Sequence, residues 1–296
     1  AFTLSNAIAY VQAAINSGLD VDTFGQRLSF FFASQNNLFE EVAKFRAARR
    51  MWARIMRERF HAKDPKSWAL RFHTQTAGVT LTAQQPDNNV VRTTIQALAA
   101  VLGGTQSLHA NSKDEALALP TEQSAQLSLR TQQILAYETG VTNVVDPLGG
   151  SWYIEERTNF MEQKVEMYFK KIDQLGGVIP AIEAGYFQGE IAEASSEYQK
   201  RVDSNRRIIV GVNDFKKDAE KIDIPLLEIR KEVYNEQIDK LKKLKTDRNN
   251  KNVHKTLSQI TNACSKEENI MPLIIEAVKS YATLGEIVDS MKVVFG

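Results

Sequence analysis

The segment Arg71-Phe72-His73-Thr74-Gln75-Thr76-Ala77-Gly78 sets an imidazole and a carboxamide two residues apart and then stops at a glycine. Residues i and i+2 of a strand share a face, so His73 and Gln75 point the same way. A second segment, Gly104-Thr105-Gln106-Ser107-Leu108-His109-Ala110-Asn111, repeats the design with Gln106. Each runs toward a helical pattern, and polar side chains leaving a strand that feeds a helix are where parallel α/β proteins place ligands. Two such strand ends in succession suggest one shared site. The residue types suit binding and orientation more than nucleophilic attack or metal ligation. Asn111 and Glu115 are four apart, one turn of a helix, and an amide with a carboxylate suits ribose hydroxyls. The plain alternative is a helix cap by Asn111 with a solvated Glu115. Arg27 and Ser29, flanking Leu28, share a face if that run is a strand; a fixed cation and a hydroxyl suit a phosphate, or equally a surface arginine with a core serine. Phe31, two residues past Ser29, reads from its type alone as core. Lys66 is by default a solvated lysine.

The elements that must position these residues read as follows. A helix over about 5–17 ends at Gly18, and the aromatic run Arg27 to Phe32 is a strand. Asn36 or Asn37 caps a helix that runs to about Phe60. Strands about 69–74 and 105–109 are separated by a helix over 87–102 that stops at Gly103-Gly104. A helix over about 121–138 follows, then the turn-rich Asp146-Pro147-Leu148-Gly149-Gly150, helices over 158–175 and 178–203, and a β-branched strand at 207–212. Strand–helix alternation three times over predicts a parallel α/β sheet. Beyond about Pro225, lysine, glutamate and asparagine rise and helices fill the rest, which puts a boundary near Asp218–Pro225. The arginines between Arg46 and Arg59 are interleaved with apolar and acidic residues, as on an amphipathic outer helix and unlike a nucleic-acid patch.

Composition narrows the function classes. The 296 residues, 43% of them hydrophobic, can bury a large core. A net charge of +1 argues for neither nucleic acid nor an anionic membrane. The single cysteine, Cys264, excludes an internal disulfide framework and fits a reducing, cytoplasmic setting. No apolar run approaches the roughly 20 residues that span a bilayer. The chain starts inside an amphipathic pattern at Ala1, as a fragment would.

Taken in order, the run Arg27 to Phe32, Lys66-Ser67, the two polar segments, Asn88-Asn89 with Arg92-Thr93, Asp114-Glu115-Ala116-Leu117, Asp146 to Ser151 and Val210-Gly211-Val212-Asn213 form a specific series. It resembles the catalytic large chain of the adenosylcobalamin-dependent acyl-CoA mutases, the methylmalonyl-CoA mutase branch above all. The resemblance implies that the chain supplies the second half of a (β/α)₈ TIM barrel with parallel strands, followed by a helical C-terminal tail. Residues 1–220 would be the partial catalytic domain and 221–296 a helical arm. It implies radical isomerisation of methylmalonyl-CoA and succinyl-CoA, with substrate contacts from Arg27, Leu28, Ser29, Lys66, His73 and Gln106. Phe31, Gln75, Asn111 and Glu115 would face adenosylcobalamin; no catalytic residue or metal ligand is assigned. The family's axial histidine lies in an Asp-x-His-x-x-Gly motif, and none of His61, His73, His109 and His254 has an aspartate two residues before it. The main cobalamin module is therefore expected on a separate small subunit or domain. The other expected partners are acyl-CoA, the N-terminal barrel half and a second copy in a dimer; alone, the chain would be inactive. Isobutyryl-CoA and 2-hydroxyisobutyryl-CoA mutases are the nearest alternatives. An inactive partner-binding α/β scaffold is the alternative of another class.

Overall fold

The computed structural model describes residues 1–217, 224–266 and 268–296. The chain divides into two units, Ala1–Leu227 and Glu228–Gly296. The boundary expected between residues 220 and 221 lies outside the described residues.

The first unit opens with α1 (Phe2–Asn16), the short α2 (Val21–Phe24) and a 3₁₀ turn, Gly25–Arg27. Then come β1 (Phe30–Ser34), α3 (Leu38–Arg54) continued by a π turn over Ile55–Arg59, α4 (Pro65–Trp68), β2 (Phe72–Thr76), α5 (Asn88–Leu102) and β3 (Ser107–His109). It closes with α6 (Glu122–Tyr137), α7 (Trp152–Gln174), α8 (Val178–Glu183) and α9 (Tyr186–Asp203). The three strands are parallel, in the order β1-β2-β3. Alternation sorts their side chains: Phe30, Ser34, Phe72, Thr74 and Thr76 are buried. Phe72 stacks on Phe45 of α3 at 5.3 Å between ring centroids, and Phe30 meets Trp52 edge-on at 4.9 Å. Phe45, Met51 and Trp52 have no exposed surface, so α3 is the helix on which the sheet is built. Gly103 is part of that fit, since a Cβ there would collide with the Phe45 ring. The opposite face of α3 carries Arg46, Arg50 and Arg54, which pair with Glu155 and Glu162 of α7.

Several expectations are corrected. Half of an eight-stranded barrel does not form: among the described residues there is one open sheet of three parallel strands within a mostly helical α/β domain. The run at 207–212 contributes only an isolated bridge, Val210 to Asp214. Its backbone is satisfied locally, because the Asn213 side chain binds Ile209 N, Val202 O and Arg207 O. The first strand starts at Phe30 instead of Arg27, since Asp20 caps α2 through Asp22 N and Thr23 N and the chain then passes through the 3₁₀ turn. The helix expected over 178–203 breaks at Gly185, whose φ of 70° leaves the helical region. The helix expected from 158 begins at Trp152, with Glu155 accepting Gly150 N–H at 2.9 Å.

The second unit holds α10 (Lys231–Asp247), α11 (Asn250–Ser265), α12 (Met271–Lys279) and α13 (Leu284–Phe295). Ile260, Cys264, Ala277 and Ile287 form its core. Thr283 and Glu286 cap α13 reciprocally. Arg248 donates to both Glu286 oxygens at 2.7 and 2.6 Å. Those bonds, followed by the Thr283 donors, overcome desolvation and hold the Glu286 carboxyl at about 2. A carboxyl depressed in the folded state stabilises fully above its unfolded pKa and loses that contribution as pH falls toward the folded value. The Tm advantage of the native chain over a Glu286→Gln variant is therefore expected to shrink between about pH 5 and pH 2. Thermal melts of both across that window check this; a gap independent of pH would refute it. No described helix is long and apolar enough to cross a membrane.

Candidate functional site

Helices cover one face of the sheet, and the other face gathers most of the singled-out residues. Register places Phe31, His73 and Ser107 in one row and Ala33, Gln75 and His109 in the next. Phe31 is 57% exposed, with its ring 5.3 Å from that of His73. His73 Nδ1 and Ser107 Oγ are hydrogen-bonded at 2.7 Å, which fixes the ring across the β2–β3 seam.

At the C-terminal end of the strands, Gln75 Nε2 donates to Asn111 Oδ1 at 2.9 Å. Asn111 is buried; its Nδ2 donates to Thr76 O and its backbone N–H to Thr76 Oγ1. It spends both ends of its amide inside the fold and orients Gln75. Between Asn111 and Glu115 the chain is extended and then enters turns over 113–117, not the helical turn expected from the spacing. Asp114 closes them, its carbonyl accepting Leu117 N–H and Ala118 N–H, while its buried Oδ1 has no hydrogen-bond partner. Glu115 still comes beside Asn111: a Cβ on Gly78 would lie 3.0 Å from Asn111 Nδ2 and 3.2 Å from Glu115 Oε1. Gln75, Gly78, Asn111 and Glu115 thus share one corner, and Glu115 is an exposed carboxylate with no ion pair among the described residues.

The N-terminal end of the strip is cationic. Asp22 accepts Lys63 N–H and Asp64 N–H, Asp64 accepts from Lys66 N and Gln26 Nε2, and the turn bearing Arg27 is thereby pinned to α4 bearing Lys66. Arg27, Ser29 and Lys66 are exposed, whereas Leu28 packs against the core. Arg27 ends the 3₁₀ turn and Ser29 precedes β1, so the pair does not lie on the strand where the spacing put it. Gln106 is engaged in the fold, accepting Phe72 N–H at 2.7 Å and donating to Gly104 O. Sequence reasoning gave Arg71 no role. It stands on the His73–Gln75 face, donates through Nη2 to Lys66 O at 3.0 Å, and leaves a buried Nη1 without an acceptor. Its signal was present in the spacing 71, 73, 75.

The supporting motifs hold loops. Asn89 joins Thr82 to Lys113 O, and Arg92 ties Thr82 and Asn89 to Val210 O. Arg46 grips both Asp146 oxygens and Glu155, and with the Gly150 N–H this holds the Glu155 carboxyl at about 2. A cavity of about 820 Å³ lies elsewhere, between α5, α9 and residues 207–210, and is lined by none of the ten candidate residues. Among the described residues no three His, Cys, Asp or Glu side chains gather to hold a metal. The strip can hold an elongated ligand with anionic groups at one end and hydroxyls at the other.

The family model described as methylmalonyl-CoA mutase matches residues 1–296. The chain is 47% identical over 298 residues to the 2-hydroxyisobutanoyl-CoA mutase large subunit of Aquincola tertiaricarbonis, covering 100% of this chain and 53% of that one. It is 47% identical over 296 residues to methylmalonyl-CoA mutase of Escherichia coli (strain K12), of which it covers 41%. It is 42% identical over 297 residues to the mitochondrial methylmalonyl-CoA mutase of Homo sapiens, of which it covers 40%. The chain thus spans about half or less of the curated relatives it matches.

Proposed function

The chain belongs to the methylmalonyl-CoA mutase family, and on that premise we propose that it forms the acyl-CoA-binding and cofactor-facing wall of an adenosylcobalamin-dependent carbon-skeleton mutase. The observation that carries this reading is the registered strip, with cations at the strand starts and the Gln75–Asn111–Glu115 corner at the strand ends. Arg27, Lys66 and Arg71 have no carboxylate partners among the described residues and suit the phosphates of a coenzyme A thioester. His73, fixed by Ser107, addresses the acyl arm, and Phe31 keeps that region dry. Ser29, Leu28 and Gln106 shape the entry, Gln106 by holding the β2–β3 seam.

The corner at the strand ends fits the adenosyl side of the cofactor. Gly78 leaves room that a side chain would fill, and Glu115 and Gln75 present an acceptor and an amide to ribose hydroxyls. Bound adenosylcobalamin would supply the radical chemistry; this chain's residues bind, orient and exclude water. No histidine of the chain stands in the axial-ligand motif, so we assign the main cobalamin module to a separate small subunit or domain. The working unit is a dimer. Methylmalonyl-CoA and succinyl-CoA are the preferred substrates; 2-hydroxyisobutyryl-CoA is the second reading, favoured by the equal identity to a large subunit of that specificity.

The test is kinetic, in an assembled mutase carrying these residues. Arg27→Ala with Ser29→Ala is expected to raise KM for the acyl-CoA about 10- to 100-fold while the cofactor requirement moves less than about threefold. Unchanged KM would remove the substrate assignment of the strand starts.

A further inference from the structure

We propose that the cavity between α5, α9 and residues 207–210 is a second binding site, for a medium-chain carboxylate: one anionic head on an apolar tail. The inference stands apart from the reading above, because none of the ten residues assigned to the acyl-CoA and cofactor wall lines this cavity. Its walls are built by periodicity. Asn88, Val91, Arg92 and Ile95 recur at i, i+3, i+4 and i+7 on α5, and Ile191, Ala194, Ser195 and Tyr198 repeat that spacing on α9. Two such faces normally close on each other. These do not: Val91 and Ile191 stay 59% and 61% exposed, and Ile208 and Val210 line the same space. A volume of about 820 Å³ is that of a small-molecule site. The lining is also of the right kind, an apolar wall with a few convergent polar groups.

Charge selects the head group. The lining holds two arginines and no aspartate or glutamate. Neither Arg92 nor Arg207 takes part in an ion pair among the described residues. Arg92 spends its Nη atoms on neutral acceptors: Val210 O at 2.8 Å, Thr82 Oγ1 at 2.9 Å and Asn89 Oδ1 at 2.8 Å. Burial pushes its pKa down, and no carboxylate offsets that cost. Arg207 is the more open of the two. Its guanidinium lies 4.7 Å from the centre of the Tyr198 ring, which holds the planar fork at the cavity. A carboxylate pairs with such a fork through two parallel hydrogen bonds, and its charge also compensates Arg92. The acidic residues of α9, Glu190, Glu193 and Glu197, line a separate hollow with Tyr168. The apolar tail then lies along Val91, Ile95 and Ile191.

Isothermal titration calorimetry of the full 296-residue chain with octanoate reads the site directly. One molecule is expected to bind, with octanol at least about tenfold weaker because it lacks the charge. Arg207→Gln is expected to weaken octanoate about 10- to 100-fold and to leave octanol within about threefold. Ser195→Trp, which sets an indole into the cavity, is expected to abolish both. Arg207 and Ser195 are exposed, and thermal melts check that each variant folds. The native chain's preference for octanoate over octanol tests the head group without any variant. Absence of octanoate binding at millimolar concentration overturns the proposal. Binding that survives Ser195→Trp lies elsewhere and overturns the site. Equal affinity for octanoate and octanol, or octanoate affinity unmoved by Arg207→Gln, overturns recognition of the carboxylate.

Discussion

Replacing Gln96 with alanine is expected to destabilise the first unit by about 3–5 kcal/mol, read as a lower urea midpoint. Gln96 has no exposed surface. Its Oε1 accepts Ala77 N–H at 2.9 Å, and its Nε2 donates to Asn36 Oδ1 at 2.5 Å and Thr80 Oγ1 at 2.6 Å. Its backbone carbonyl accepts Ser34 Oγ–H at 2.8 Å. One side chain on α5 therefore binds the loops leaving both β1 and β2. Truncation strands the Ala77 amide away from water and opens a void, and an orphaned buried donor costs its full desolvation penalty. Gln96→Leu separates these effects, because it keeps most of the volume and still strands the amide; it is expected to cost about 2 kcal/mol or more. Hydrogen exchange at the Ala77 amide should accelerate in both variants. A leucine variant as stable as the native chain would show that packing alone holds these loops.

Gln96 also shows why part of the site could not be read from the sequence. In the sequence it is one polar residue among apolar ones in a helix, and only the pairing of β1 with β2 brings its three partners together. The His73–Gln75 face was legible because a period of two needs no tertiary knowledge. The order and parallel sense of the strands followed from the helices between them. The barrel did not follow, because strand count depends on partners that a local apolar run does not reveal. The run at 207–212 has the composition of a strand, but the Asn213 side chain supplies its hydrogen bonds and no ladder forms. The spacing between Asn111 and Glu115 suits one turn of a helix, yet Asp114 gathers the chain into turns that bring the two residues to the same corner. The displaced start of β1 had a signal in Asp20, an N-cap two residues ahead of Asp22. Ser107, by contrast, gains its role only from register with His73.

Glu115→Ala, in an assembled mutase, is expected to raise the adenosylcobalamin concentration needed for half-maximal activity about 10- to 100-fold, with KM for the acyl-CoA changed less than about threefold. The separation is possible because Glu115 does little for the fold. It is exposed and takes part in no ion pair among the described residues, and surface substitutions of that kind usually change stability by less than about 0.5 kcal/mol. What it offers is an unshared carboxylate held beside Asn111 and the open position at Gly78, where hydroxyls could donate to it. Glu115→Gln keeps the reach and removes the charge, so it should fall between the native enzyme and the alanine variant. Gly78→Ala attacks the same corner from the other side: its Cβ would meet Asn111 Nδ2 at 3.0 Å and Glu115 Oε1 at 3.2 Å, displacing the carboxylate without deleting it. Its effect should resemble that of Glu115→Ala, and combining the two should add little, because both disable one contact. Should the cofactor response stay native in the alanine variant, or should acyl-CoA affinity fall in step with it, the carboxylate does not face the adenosyl group, and the assignment of the strand ends to the cofactor fails with it.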